Sequence, residues 1–206
     1  GSLRVRVLAN NSAARWAARM LVHAFPKSWD RVCGAYAGII TLRIAGVRLR
    51  YVLGRRDPIG EVLYWRGEET WEPGVVRVFT TLAKQARGCI LDIGANCGIY
   101  SLLACAVNRN VHVRAWEPVP MLRERAALSS AENRFGARLE LRDAAVGARS
   151  EEAVSYLHPD PTQGGFTDSS GEGKALTVRV EVVDDVIPPT EQVALIKIDV
   201  EGHELE

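Results

Sequence analysis

The sequence predicts an α/β protein built on a parallel sheet, and three observations support this prediction. Strand-like and helix-like segments alternate from residue 89 to residue 144. A glycine-rich turn at residues 94–98 follows the first of these strands, and an acidic residue, Glu117, ends the second. Strands separated by helices pair in parallel, because right-handed crossovers return the chain to the same end of the sheet. A chain of 206 residues that is 47% hydrophobic and 25% charged is long enough to bury such a core.

Residues 1–57 are predicted to form an N-terminal extension, and residues 58–206 a ligand-binding domain. An apolar face on residues 12–24 predicts a helix that covers the domain. The alternative is a membrane-surface or targeting helix, because the segment contains basic residues and no acid. Alternation on either side of Gly46 predicts a β-hairpin, with strands at residues 39–44 and 47–53.

The elements of the larger domain follow in order. Residues 57–74 are predicted to be a loop with one turn of helix. The predicted helices and strands are a helix at 75–87, a strand at 89–93, a helix at 99–108, a strand at 111–116, a helix at 119–134, a strand at 138–144 and a strand at 193–200. Residues 150–183 break the alternation and predict an inserted hairpin. Its glycine-rich tip, which includes residues 163–167, is a candidate lid over a substrate.

The turn after the first strand of the sheet predicts a nucleotide-type cofactor site. Glycines at 94 and 98 let the backbone bend sharply and approach a ligand, because they have no Cβ. The helix that follows is expected to direct free N–H groups towards the turn. The spacing Gly94-x-x-x-Gly98 fits neither the dinucleotide fingerprint nor the P-loop.

Acidic residues indicate which cofactor the turn binds. Asp92 stands two residues before Gly94, and a carboxylate suits an ammonium or hydroxyl group better than a phosphate. Glu117 follows Asp92 by 25 residues, near the spacing at which an acid binds ribose hydroxyls. A ligand with an amino acid at one end and a ribose at the other is S-adenosylmethionine (SAM). The predicted cofactor-binding residues are Asp92, Gly94, Ala95, Asn96, Gly98 and Glu117, with Asp143 as an acceptor for the adenine amino group.

Three segments of the chain resemble the signatures of the FkbM-type methyltransferases. They are LDIGANCG at residues 91–98, WEP at 116–118 and KIDVEGHE at 197–204, in the order and roughly the spacing of that family. The resemblance covers about residues 58–206. It implies a Rossmann-like class I methyltransferase fold with helices on both faces of the sheet, SAM as cofactor, and O-methylation of a sugar, glycolipid or natural-product acceptor. It also implies a sheet of seven strands, so we expect the domain to be C-terminally incomplete.

Asp199, Glu201 and His203 are the candidate catalytic residues. They follow the predicted strand at 193–200, at the sheet edge where open α/β sheets bind ligands. O-methylation requires deprotonation of an alcohol, for which a carboxylate or an imidazole is suited. A divalent metal bound by Asp199 and Glu201 is the alternative, because it would lower the pKa of the alcohol. The non-catalytic interpretation is that Asp199 only orients the cofactor.

Net charge, cysteine pattern and the length of apolar runs limit the classes of function that the chain could have. A net charge of +1 offers no electrostatic case for a nucleic-acid partner. Four cysteines without a CxxC pair predict reduced, buried thiols. No apolar run reaches the ~18 residues that span a bilayer, and we expect a cytoplasmic protein, with a homo-oligomer as one arrangement. The competing functions are a nicotinamide-dependent oxidoreductase, which the missing second glycine disfavours, and a non-catalytic SAM-binding module.

Overall fold

The computed structural model describes residues 20, 37–55, 57–157, 166–167 and 174–200. The chain divides into two compact units, Gly1–Val75 and Val76–Glu206. The helix predicted at residues 12–24 lies outside the described residues, apart from Met20, and so do most of the predicted lid and both Glu201 and His203. Among the described residues, no helix is long and apolar enough to cross a membrane. The domain boundary between residues 57 and 58 stays a prediction.

The first unit contains a β-hairpin, which confirms the hairpin predicted around Gly46. Its strands are β1 (Gly38–Ile44) and β2 (Val47–Leu53), which pair antiparallel with Ile44 opposite Val47. Alternate residues of both strands are buried, as period-two alternation predicts. Ala45 and Gly46 both have positive φ, 49° and 79°, which is the conformation of a two-residue hairpin turn.

The segment after the hairpin, predicted to be mostly loop, is largely helical. It contains α1 (Pro58–Glu61), a π-helical turn (Val62–Arg66) and a 3₁₀ turn (Glu68–Thr70). Asp57 caps α1, because its Oδ1 accepts a 2.8 Å hydrogen bond from Gly60 N, and Pro58 occupies the first helical position. The sequence prediction underestimated this helix because burial of Leu63, Tyr64 and Trp65 outweighs the modest helix propensity of the two aromatic residues.

The second unit carries the predicted parallel sheet. Its elements are α2 (Pro73–Gln85, which begins at the end of the first unit), β3 (Cys89–Ile93), α3 (Ile99–Val107), β4 (His112–Trp116), α4 (Pro120–Glu132), β5 (Leu139–Arg142), α5 (Val183–Val186) and β10 (Val193–Ile198). The strand order is β10-β3-β4-β5, and all three pairings are parallel. All five residues of β3 are buried, as expected for a central strand. The mixed α/β fold with a parallel central sheet is therefore confirmed.

A second sheet interrupts the alternation where the inserted hairpin was predicted. It consists of β6 (Ala145–Val146), β7 (Glu151–Leu157), β8 (Phe166–Thr167) and β9 (Lys174–Glu181), in the order β6-β9-β7-β8. β7 and β9 pair antiparallel along their whole length, which confirms the hairpin. The strand predicted at 138–144 is shorter than expected, because the chain leaves the first sheet after Arg142 and pairs with β9.

Two faces of β3 have different environments. Cys89, Leu91 and Ile93 lie in an apolar cluster with Trp116 and Ala144. The opposite face carries the buried Asp92. Of the four cysteines, Cys89, Cys97 and Cys105 are free and buried, which confirms the prediction for the three that are described. Burial raises the pKa of the Cys89 and Cys105 thiols to about 11, which favours the protonated thiol at neutral pH.

Glu181 joins the inserted sheet to the parallel sheet. Its carboxylate accepts hydrogen bonds from Trp116 Nε1 at 3.0 Å and from Arg142 Nε at 2.7 Å. The Arg142 hydrogen bond is the main cause of a lowered pKa for Glu181, and its side chain is only 10% exposed. The end of β9 is therefore fixed to the ends of β4 and β5 by a shielded, charge-assisted contact.

Replacing Glu181 by Gln should lower the free energy of unfolding by about 1.5–3 kcal/mol, the range for hydrogen bonds to charged groups. Because the pKa of Glu181 is lowered in the fold, its contribution is present at neutral pH and disappears as the pH falls below the ordinary value of 4.5. Urea denaturation at pH 7 and at pH 3.5 measures both effects. Glu151→Gln, on an exposed position of the same hairpin, is the control and should change little. Equal stability of Glu181→Gln and wild type at pH 7 would contradict the assignment.

Candidate functional site

The turn between β3 and α3 has a backbone that only certain residues can adopt. Gly94, Asn96 and Gly98 have positive φ values of 74°, 52° and 77°. A Cβ on Gly94 would lie 2.0 Å from the carbonyl oxygen of Asp199, and one on Gly98 would lie 2.9 Å from Cβ of Ala126. Asparagine tolerates the left-handed region better than most residues. Both glycines are therefore required by close approach as well as by φ.

The amide groups of this turn are used within the protein. The bonds run from Gly94 N and Ala95 N to Trp116 O (3.1 and 2.9 Å), from Asn96 N to Glu117 Oε2 (2.8 Å), from Cys97 N to Asn96 Oδ1 (2.8 Å) and from Gly98 N to Ala95 O (2.8 Å). These five amides therefore hold the turn in shape. The N–H groups that the sequence analysis expected to be free belong to the start of α3, where Ser101 N is bonded to Asp92 Oδ2.

Asp92 anchors the turn from below. It is fully buried, and its Oδ2 accepts hydrogen bonds from Ser101 N at 3.0 Å and from Ser101 Oγ at 2.6 Å. Its Oδ1 has no hydrogen-bond partner but lies 3.4 Å from Lys197 Nζ. These contacts tie β3 to the first turn of α3 and to β10. Direct contact of Asp92 with a cofactor stays a prediction.

Glu117 is a nearly buried carboxylate at the end of β4. Its Oε1 accepts from Val119 N and its Oε2 from Asn96 N, both at 2.8 Å, and the residue is 5% exposed. Burial raises the pKa of Glu117 to about 7, opposed by the two backbone hydrogen bonds and by Arg123. Each oxygen accepts one amide, so one lone pair on each remains for a further donor. The carboxylate therefore has hydrogen-bonding capacity for two further donors, and its contact with a ribose stays a prediction.

Arg123, which the sequence analysis did not single out, links Glu117 to Asp143. Its Nη1 donates to the Glu117 carbonyl oxygen at 2.8 Å and lies 2.6 Å from Asp143 Oδ1. The side chain of Asp143 is 65% exposed, and it follows β5 on the same edge of the sheet as Glu117. Its binding to adenine stays a prediction, since the structure describes an ion pair there.

Lys197 is the other residue that the sequence analysis left without a role. Its Nζ donates to the Gly94 carbonyl oxygen at 3.1 Å and lies 3.4 Å from both Asp92 Oδ1 and Asp199 Oδ2. The ammonium is also 5.2 Å from the centre of the Tyr100 ring. The contact between Lys197 and Asp92 follows from the parallel pairing of β10 with β3, which places the two residues opposite each other.

Asp199 follows β10 and reaches the turn. Its N–H donates to Ile93 O at 3.0 Å, and its side chain is 56% exposed. The structure thus brings one of the three predicted catalytic residues, Asp199, to the turn at residues 94–98, the predicted cofactor turn. Glu201 and His203 lie outside the described residues. Within the described ranges, no group of three or more His, Cys, Asp or Glu side chains is arranged to hold a metal ion.

The chain is similar to known methyltransferases both in sequence and in structure. Hexuronic acid methyltransferase AglP of Haloferax volcanii is 25% identical over 175 residues, which cover 84% of this chain and 68% of the relative. The crystal structure of methyltransferase FkbM from Methylobacillus flagellatus KT has 14% sequence identity and a TM-score of 0.40, with 70% of this chain and 49% of that chain covered. A SAM-dependent methyltransferase from Agrobacterium tumefaciens has 14% identity and a TM-score of 0.38, with 53% and 33% covered.

The chain thus spans between a third and a half of the length of these two solved structures. The family described as the Methyltransferase FkbM domain matches residues 92–206. This match begins at Asp92, includes the glycine turn, Glu117 and Asp199, and covers more than half of the sequence. The chain therefore belongs to the FkbM methyltransferase family.

Proposed function

We propose that this protein binds SAM and transfers its methyl group to a hydroxyl of a sugar-type acceptor, either a free sugar, a glycolipid or a natural product. The observation that carries the proposal is Glu117, a shielded carboxylate with one free lone pair on each oxygen, at the end of the strand beside the glycine turn. Membership of the FkbM methyltransferase family supports the reaction class. A relative that is a hexuronic acid methyltransferase supports a sugar acceptor.

The ribose of SAM would bind at Glu117. Two adjacent hydroxyl groups donate well to one carboxylate, because each oxygen can accept one of them. Ionised Glu117 is the better acceptor, since its two oxygens then carry the negative charge and neither holds a proton. The backbone hydrogen bonds from Asn96 and Val119 fix the orientation of the carboxylate before a ligand arrives.

The methionine end of SAM would lie along the glycine turn. Gly94, Ala95, Asn96 and Gly98 form the backbone along which it would lie, and Gly94 O already accepts from one ammonium group, that of Lys197. Asp92 places negative charge beneath the turn. Asp143, beyond Arg123, is the proposed acceptor for the adenine amino group. SAM supplies an electrophilic methyl group on a positively charged sulfur.

The acceptor hydroxyl must lose its proton as it attacks. Asp199 is the described candidate for this step, because its carboxylate is half-exposed beside the turn. Glu201 and His203 follow it closely in the sequence and share the role of candidate base. A divalent metal held by Asp199 and Glu201 would do the same work by lowering the pKa of the alcohol.

Binding of S-adenosylhomocysteine, the product form of the cofactor, tests the proposal most directly. Saturating S-adenosylhomocysteine, at ~100 times its dissociation constant, should stabilise the folded protein by about 2.7 kcal/mol and raise its melting temperature. NAD should have no effect. A thermal shift with NAD alone would favour an oxidoreductase, and a folded protein that responds to neither ligand would contradict the proposal. Binding without methyl transfer to a glycan and natural-product panel would indicate a non-catalytic module.

Glu117→Ala should weaken S-adenosylhomocysteine at least tenfold, because two hydrogen bonds to a charged group are lost at about 1.5–3 kcal/mol each. With a free-protein pKa of about 7, the wild type should bind about tenfold more tightly at pH 8 than at pH 6, since the ligand favours the ionised carboxylate. Isothermal titration calorimetry measures both effects. Glu124→Gln, an exposed acid on α4, is the control and should keep the wild-type affinity and pH dependence. Wild-type affinity in Glu117→Ala would remove the ribose assignment.

Asp199→Asn keeps the shape of the side chain and removes its charge. If Asp199 acts as base, metal ligand or charge stabiliser, turnover should fall by about 10²–10⁴. Loss of activity with EDTA and recovery with magnesium or manganese would identify the metal route. Asp184→Asn, an exposed position on α5, is the matched control. Full activity in Asp199→Asn would place the base elsewhere in the protein.

A further inference from the structure

We propose that Lys197 is a positioning residue whose ammonium group holds the cofactor turn against the ends of β3 and β10. The inference rests on the proposed function, because it concerns the site where the methionine end of SAM would bind. Lys197 would act through the turn and not by touching the reacting atoms. Three observations lead to this role: the contacts of Nζ, the burial of Asp92 and the close packing of the turn on β10.

The ammonium of Lys197 is surrounded by three acceptors from three different segments. Asp92 belongs to β3, Gly94 to the turn and Asp199 to the segment after β10, and the contacts are 3.4, 3.1 and 3.4 Å. The contact with Gly94 O is a hydrogen bond, and the contacts with the two carboxylates are ion pairs. The side chain of Lys197 is 13% exposed, which shields these contacts from water. A single group therefore connects the three segments that form this side of the site.

The charge of Lys197 also balances two carboxylates. Asp92 is fully buried, and among the described residues Lys197 is the cation that forms an ion pair with it. A buried carboxylate without a nearby cation is strongly unfavourable. Asp199 adds a second negative charge on the other side of the same ammonium. Without Lys197 the two carboxylates would repel each other across the turn, so the turn would no longer have one favoured position.

The packing of the turn makes its position sensitive to this balance. Gly94 is so close to Asp199 O that no side chain fits between them, and Asp199 N is bonded to Ile93 O. Any displacement of the segment after β10 would therefore move the Gly94 carbonyl, the proposed acceptor for the methionine ammonium. Lys197 donates to this carbonyl and so fixes the direction in which its oxygen points.

A direct contact between Lys197 and the cofactor carboxylate is the alternative role. It is disfavoured because the ammonium already donates to Gly94 O and lies 3.4 Å from a carboxylate on each of two sides. The two roles differ in the protein without ligand. If Lys197 acts through the turn, hydrogen exchange at residues 94–98 should accelerate in ligand-free Lys197→Met. If Lys197 only binds the cofactor directly, exchange at 94–98 without ligand should equal that of the wild type, and this result would overturn the proposal.

Calorimetric titration with S-adenosylhomocysteine tests the proposal in four proteins. The wild type should bind, and Lys197→Met should bind at least tenfold more weakly. Lys197→Arg keeps the charge and should recover most of the affinity. Lys84→Met, an exposed lysine on α2, makes the same chemical change away from the site and should bind like the wild type. Hydrogen exchange should accelerate at residues 94–98 in Lys197→Met and stay unchanged in β7 and β9, which separates loss of position from general destabilisation.

The outcomes distinguish this inference from the proposed function. A folded wild type that does not bind S-adenosylhomocysteine contradicts the function itself. A wild type that binds, together with a Lys197→Met variant whose affinity is within twofold of it, overturns only the role of Lys197. If Lys197→Met does not fold, Lys197→Gln replaces it, because a polar amide is tolerated better than a thioether beside two carboxylates while the bridging charge and the reach of the ammonium are lost. Unchanged affinity or unchanged exchange at 94–98 in that variant would equally overturn the proposal.

Discussion

The carbonyl oxygen of Asp199 lies 2.0 Å from the point where a Cβ on Gly94 would be, so the turn after β3 packs directly on the segment after β10. This packing follows from the parallel pairing of the two strands, which brings their carboxyl ends to the same edge of the sheet. The rest of the site depends on it. It sets the position of the Gly94 carbonyl, to which Lys197 donates a hydrogen bond. It also leaves the side chain of Asp199 half-exposed beside the turn.

A second constraint acts on β4, where a carboxylate is buried without a full ion pair. Arg123 donates to the backbone carbonyl of Glu117, while the carboxylate itself accepts two backbone amides. Burial dominates, and the pKa of Glu117 rises to about 7. In the free protein, ionisation of Glu117 is therefore less favourable than ionisation of an exposed glutamate. Hydroxyl donors that stabilise the ionised form would recover part of the cost, which is the physical basis of the role proposed for Glu117.

The sequence allowed the parallel sheet, the hairpins and the glycine turn to be predicted, because each leaves a local pattern. The apolar run of β3 and the glycine at position 94 belong to a few adjacent residues. The roles of Lys197 and Arg123 could not be predicted, since their partners come from distant segments and only strand register brings them together. The same limit applies to residues 94–98, whose amides bind mainly to groups supplied by β4 and by the turn itself.

Glu181 shows how the inserted hairpin is connected to the chemistry proposed for β4. It accepts a hydrogen bond from Trp116, the residue before Glu117, and binds Arg142 at the end of β5. A movement of β9 would therefore be transmitted to the strand end that carries the buried carboxylate, because both the indole and the guanidinium are held by one side chain. Since β7 pairs with β9 along its whole length, both strands of the hairpin are attached to this anchor. The role proposed for Glu117 requires that this strand end keeps its position, because methyl transfer depends on accurate alignment of the reacting groups, and the contacts of Glu181 with Trp116 and Arg142 restrain it.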